Sequence, residues 1–121
     1  MHVLVAAEKI LNDIITEILE EIGIRVTAIE PAFNSDNVGN ILRSERFDLA
    51  IITNSDYGAG AIPELAAQIK SEFPRLKIIV ASGVISNDIA NSLAVTGVDA
   101  LMMLPFKLKE MQGVVSRILQ N

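Results

Sequence analysis

Few side chains in this sequence stand where they could do chemistry. Thr53 and Ser82 each follow a short apolar run (49–52 and 78–81), and the carboxylates Glu8 and Asp56 come just after the runs at 3–6 and 49–52. A hydroxyl at neutral pH is a poor nucleophile unless a base activates it. The one histidine, His2, lies at the far end of the first run, out of reach of either hydroxyl. The chain has no cysteine, which removes disulfides, thiolate zinc sites and cysteine nucleophiles together. There is no Ser/His/acid set, no metal-ligand cluster and no Gly-rich phosphate loop of the required spacing. These residues do not make an enzyme, and the sequence predicts neither a cofactor nor a bound metal.

The elements that position these side chains are legible. The run 49–52, apolar at every residue and followed by Asn54, Ser55, Asp56, Gly58 and Gly60, predicts a central strand covered on both faces. Strands are also expected over 3–6, 25–29, 77–81 and 100–103. Between them, Ile10, Leu11, Ile14, Ile15, Ile18, Leu19 and Ile22 form one broad helical stripe opposite Asp13, Glu17, Glu20 and Glu21, and Gly23 caps that helix. A second helix over 35–44 is weakened by Asn37, Gly39 and Asn40, so a short or frayed element is expected. Helices follow over 62–73, from Ser86 to about Gly97, and from Leu108 onward, where Leu108, Met111, Val114, Val115, Ile118 and Leu119 supply a buried stripe.

Five strands alternating with five helices through short connections imply right-handed crossovers and a parallel sheet covered on both sides. The expected fold is a three-layer α/β/α, flavodoxin-like (βα)5 arrangement with a five-stranded parallel sheet in the order 2-1-3-4-5. The loops after Ala6, Thr53 and Ser82, and the one at Leu104-Pro105, then converge on one hollow at the carboxyl ends of the strands.

Composition narrows the function classes. At 121 residues and 50% hydrophobic, residues 1–121 make one domain, able to bury roughly two thirds of its unfolded surface. A net charge of −5 disfavours nucleic acid, whose phosphates are held by clustered Lys and Arg; Lys107 and Lys109 are the nearest approach to a cluster and read as solvated charges. No run approaches the roughly 18 apolar residues of a membrane span, and no basic leader precedes the first strand, so a soluble, cytoplasmic protein is expected.

Four segments, HVLVAAE, RSERFDLAII, FPRLKIIVASG and GVDALMMLPF, fall at these spacings over essentially the whole chain. With the turn Gly97-Val98-Asp99-Ala100 and the pair Pro105-Phe106 in register, the sequence resembles the CheY-like receiver domains of two-component response regulators. Such domains hold Mg²⁺ with an acidic pair after the first strand and accept a phosphoryl group on an aspartate ending the third. They also carry a Ser or Thr after the fourth strand and a Lys before the proline. Here those positions read Ala6 and Ala7, Thr53, Ser82 and Leu104. Only the hydroxyl remains.

Mg²⁺ needs hard oxygen ligands in near-octahedral geometry, and two alanine methyls supply none. Phosphoryl transfer works by positioning and charge neutralisation, so loss of metal and lysine together removes its stabilising groups. Glu8 and Asp56 are read as a first-turn acid favourable to the helix dipole and a turn former, not as a displaced metal site. Leu101, where the family commonly has a mobile aromatic, is read as fixed core, and the resemblance alone suggests a cis bond at Leu104-Pro105.

The expected function is that of a degenerate pseudo-receiver, a phosphorylation-independent interaction module in a two-component-like regulatory system. Its partner would be a signalling protein or a second copy, met on the family's fourth-helix, fifth-strand, fifth-helix face: Asn91, Val95, Leu101, Lys107, Glu110 and Gln112. The alternative is a small-molecule sensor, because Ala6, Ala7, Thr53 and Leu104 leave an apolar hollow with a few hydroxyls. Competing with that is collapse, in which Leu104 fills the space and gains around 1.5–3 kcal/mol of burial.

Overall fold

The computed structural model describes residues 1–29, 35–54, 61–82, 87–103 and 106–120. Strands β1 (His2–Ala6), β2 (Arg25–Ile29), β3 (Leu49–Asn54), β4 (Lys77–Ser82) and β5 (Ala100–Met103) alternate with helices α1 (Lys9–Glu21), α2 (Ser35–Ser44), α3 (Ala61–Glu72), α4 (Asn87–Thr96) and α5 (Leu108–Gln120). All strand pairings are parallel, in the order β2-β1-β3-β4-β5. This is the CheY-like flavodoxin fold that the alternation of elements predicts. No helix among the described residues is long and apolar enough to cross a membrane.

Strand alternation divides the core in two. Val3, Val5, Leu49, Ile51, Ile79 and Ala81 pack with Ile15, Ile18 and Leu19 of α1 and Met111, Val115 and Ile118 of α5. On the other face, Leu4, Ala50, Ile52, Ile78 and Val80 pack with Val38 and Leu42 of α2 and Leu65, Ala66 and Ile69 of α3. Each large side chain so buried contributes about 1.5–3 kcal/mol. The sheet is thus fully covered in its middle strands, and β1, β3 and β4 read as continuous apolar runs for that reason.

Three details differ from the sequence reading. The stripe of α1 is narrower than its seven apolar residues: Ile10 (71%), Ile14 (45%) and Ile22 (39%) are exposed. A helix lying on a sheet buries one arc of its circumference, and that arc is centred on Ile15 and Leu19 and takes in Asn12. Second, α2 is a regular ten-residue helix despite its poor propensity. Val38 and Leu42 are buried, and Arg43 clamps Glu72 of α3 through two hydrogen bonds of 2.6 and 3.0 Å, so tertiary contacts override local preference. Third, Leu108 is 44% exposed, because it opens α5 one turn before the helix settles on the core at Met111.

At the helix ends, Gly23 (φ +81) and Gly97 (φ +87) take the left-handed conformation that closes α1 and α4. Two aspartates fix the strand entries. The Asp48 carboxylate accepts from the His2 N–H at 2.9 Å while the Asp48 N–H donates to the His2 carbonyl at 2.8 Å, locking β1 to β3. The Asp99 carboxylate accepts from the Ile78 N–H at 2.9 Å and the Asp99 N–H returns a bond to the Ile78 carbonyl, locking β4 to β5.

Candidate functional site

The carboxyl ends of β1, β3 and β4 bring together the residues the sequence singles out. Ala6 pairs with Ile52, Thr53 with Ala81, and Asn54 with Ser82, which in turn pairs with Met103. Ala6, Ala7, Thr53 and Ser82 are all buried. Side-chain alternation puts Thr53 on the face shared by Leu49 and Ile51, the α1/α5 side, where Ala7 and Ala81 also belong to the core.

Thr53 is 2% exposed, and its Oγ1 is buried with no hydrogen-bond partner among the described residues. Group transfer from such a hydroxyl needs a base to take its proton and donors to stabilise charge, and among the described residues none is bonded to it. Ser82 is buried and already engaged in an interaction. Among the described residues, no three His, Cys, Asp or Glu side chains stand close enough to hold a metal ion.

Glu8 lies at the N-cap of α1, one residue before the helix rather than in its first turn; its side chain makes no capping bond and is exposed, while its carbonyl accepts from the Asn12 N–H at 2.8 Å. Glutamate is not among the side chains that cap well, which is why this acid reaches solvent instead. Asp56, Leu104 and the Leu104-Pro105 bond lie outside the described residues.

Asn12 is a residue that sequence reasoning missed. It is 5% exposed, and its Nδ2 donates to the Ala7 carbonyl at 2.6 Å and the Ile29 carbonyl at 2.8 Å, tying the end of β1 to the end of edge strand β2. Its Oδ1 is buried without a partner. The only signal was a polar residue set between the isoleucine pairs of α1.

On the α4-β5-α5 face, Asn91, Lys107 and Glu110 are exposed and Val95 is 88% exposed. Leu101 is half-buried and packs against the α2/α3 core rather than being fully enclosed. Gln112 departs from the expected outward position: it is half-buried, and its Nε2 donates to the Ile18 carbonyl of α1 at 3.2 Å, because that side of α5 looks onto α1. Met103 (59%) and Leu108 (44%), not singled out in the sequence, add exposed apolar surface to the same elements.

The sequence matches no protein-family model and no curated protein. Solved structures do match it. A response regulator from Thermotoga maritima superposes with a TM-score of 0.86 at 23% identity, covering 99% of this chain and 98% of that one. A CheY-like receiver domain protein from Methanospirillum hungatei JF-1 gives 0.85 at 20% identity, with 98% and 92% covered. An atypical orphan response regulator, described as having a phosphorylation-independent regulatory mechanism, gives 0.82 at 18% identity, with 99% and 96% covered. The structural neighbours of this chain therefore include response regulator receiver domains, orphan and atypical regulators among them, and it shares their CheY-like fold.

Proposed function

We propose that this chain is a pseudo-receiver: a signalling module that keeps the receiver scaffold, dispenses with phosphorylation, and acts by binding a protein partner, which is a second copy of itself or another signalling protein. The observation that carries the reading is Thr53. Where a receiver would present a carboxylate, this chain has a buried hydroxyl without a hydrogen-bond partner among the described residues, next in the ladder to Ala81 and beside a neighbouring strand, β1, that ends at Ala6 and is followed by Ala7. Mg²⁺ would find methyl groups in place of its oxygen ligands there. The neighbour described as phosphorylation-independent adds support from a chain of the same fold.

The partner surface in this reading is the α4-β5-α5 face, where Val95, Met103 and Leu108 leave apolar side chains in water beside Asn91, Lys107 and Glu110. Incubation with Mg²⁺ and acetyl phosphate, read by intact mass, tests the first half. The expected result is no phosphoryl adduct; a stoichiometric adduct would overturn it.

One observation favours a second reading, a small-molecule sensor in the same hollow. A buried hydroxyl without a partner is the kind of group a ligand's polar atom can satisfy, and the alanines around it are otherwise apolar. A fragment screen by NMR that moves no amide near Thr53 would remove it.

A further inference from the structure

The opposite pole of the sheet holds a cavity of about 620 Å³, within the range of small-molecule sites. It opens between the end of α2, the α3–β4 connection and the last turns of α5, at the amino ends of the strands. From Asp48, on its wall, to Thr53 is roughly 16 Å of extended strand. The two sites are therefore separate. Apolar walls come from Leu42, Phe47, Phe73 and Ile118, and the two phenylalanine rings are only half-buried.

Acidic and basic side chains are equal in number around this cavity but differ in their engagement. Its three acids are all engaged: Asp48 by the His2 N–H at 2.9 Å, Glu72 by Arg43 at 2.6 Å, and Glu45 by Arg25 at 3.6 Å. Of its three cations, Lys77 has Asp99 at 3.9 Å, whereas Arg46 and Arg75 have no acidic partner among the described residues. Two exposed arginines thus stand without an ion pair among the described residues beside two partly buried rings, in a chain of 15 acids to 10 bases. A guanidinium presents a planar fork of donors that matches carboxylate and phosphate, and its face stacks on aromatic rings.

We propose that this cavity binds a small amphipathic organic anion, its apolar body against Phe47 and Phe73 and its carboxylate or phosphate head between Arg46 and Arg75. The anionic head is what the arginines select and the ring or chain is what the walls hold. The site is independent of the chemistry at Thr53, so either can fail without the other.

The test is an amide NMR titration of the intact chain with 1-naphthoate, with 1-naphthyl phosphate, and with neutral 1-naphthalenemethanol as the uncharged control. The expected result is saturable movement of amides at Arg46, Phe47, Asp48 and Leu76 with one or both anions, and about tenfold weaker binding of the alcohol, as befits loss of a charge-assisted pair. The two anions distinguish a carboxylate site from a phosphate site. Arg46→Gln and Arg75→Gln, both at exposed positions, should each weaken the anion about tenfold and leave the alcohol unchanged. Equal binding of alcohol and anions, indifference to both substitutions, absence of saturable shifts, or shifts confined to the Thr53 pole would each overturn the proposal.

Discussion

Thr53 stands opposite Ala81 in the β3–β4 ladder, with its hydroxyl oxygen buried and unpaired. Leaving a hydroxyl in that state costs about 1–3 kcal/mol of desolvation that no hydrogen bond returns. Thr53→Val keeps the shape and removes the orphan, so thermal or urea unfolding should show a gain of about 1 kcal/mol. A loss of that size would mean that the hydroxyl has a partner.

Asn12 carries the reverse expectation. Its amide supplies donors to two carbonyls, at Ala7 and Ile29, and Asn12→Ala leaves both short of one. A destabilisation of about 2 kcal/mol is expected from two hydrogen bonds offset by removal of the unpaired Oδ1. Hydrogen exchange should show the loss concentrated at the ends of β1 and β2.

Asp99 and Arg43 separate interactions of unequal worth. The Asp99 carboxylate is three-quarters enclosed, accepts from the Ile78 N–H, and has Lys70 at 3.3 Å. Asp99→Ala strands the Ile78 N–H, while Lys70 keeps its bond to the Leu76 carbonyl at 2.6 Å, and should cost about 1–2 kcal/mol. The Arg43–Glu72 pair has better geometry, at 2.6 Å, but its side chains are 53% and 44% exposed, so Glu72→Gln should cost less than about 1 kcal/mol. Chemical denaturation of the two variants side by side measures the difference.

Val95, 88% exposed on α4, contributes almost nothing to the core. Val95→Asp should leave stability within about 0.5 kcal/mol of the parent while placing a charge on the proposed partner surface. Sedimentation velocity, or binding to a captured partner, should then show weaker association. Unchanged association would move the interface elsewhere on the molecule.

The fold was readable because its signals are redundant. Every strand but the edge strand β2 is built on a short apolar run, each helix has a stripe, and Gly23 and Gly97 mark two helix ends by the left-handed turn they adopt. What the sequence blurred were matters of degree that depend on neighbours. Ile10 and Ile14 look like core in a helical projection and are exposed, because the arc that meets the sheet is set by where α1 lies and not by how many isoleucines it carries. Asn12 looks like a surface residue and is buried, because two carbonyls at strand ends need its donors. Gln112 looks like an outward polar residue and bonds to Ile18 of α1, a contact 94 residues away in the chain. At the candidate site the residue types Ala6, Ala7, Thr53 and Ser82 were legible at once, whereas the unpaired state of Thr53 Oγ1 needed the packing around it. The cavity at the opposite pole left no motif, since its walls come from the α2–β3 and α3–β4 connections and the last turn of α5, which only the fold brings together.

An amide NMR titration with Mg²⁺ followed by beryllofluoride asks whether the Thr53 pole takes up a metal or a phosphoryl group. A pseudo-receiver gives no saturable shift at Ala7, Thr53 or Ser82 and no change along α4, β5 and α5. Saturable shifts at those residues, reaching Leu101 and α5, would show a working phosphoacceptor site and contradict that reading.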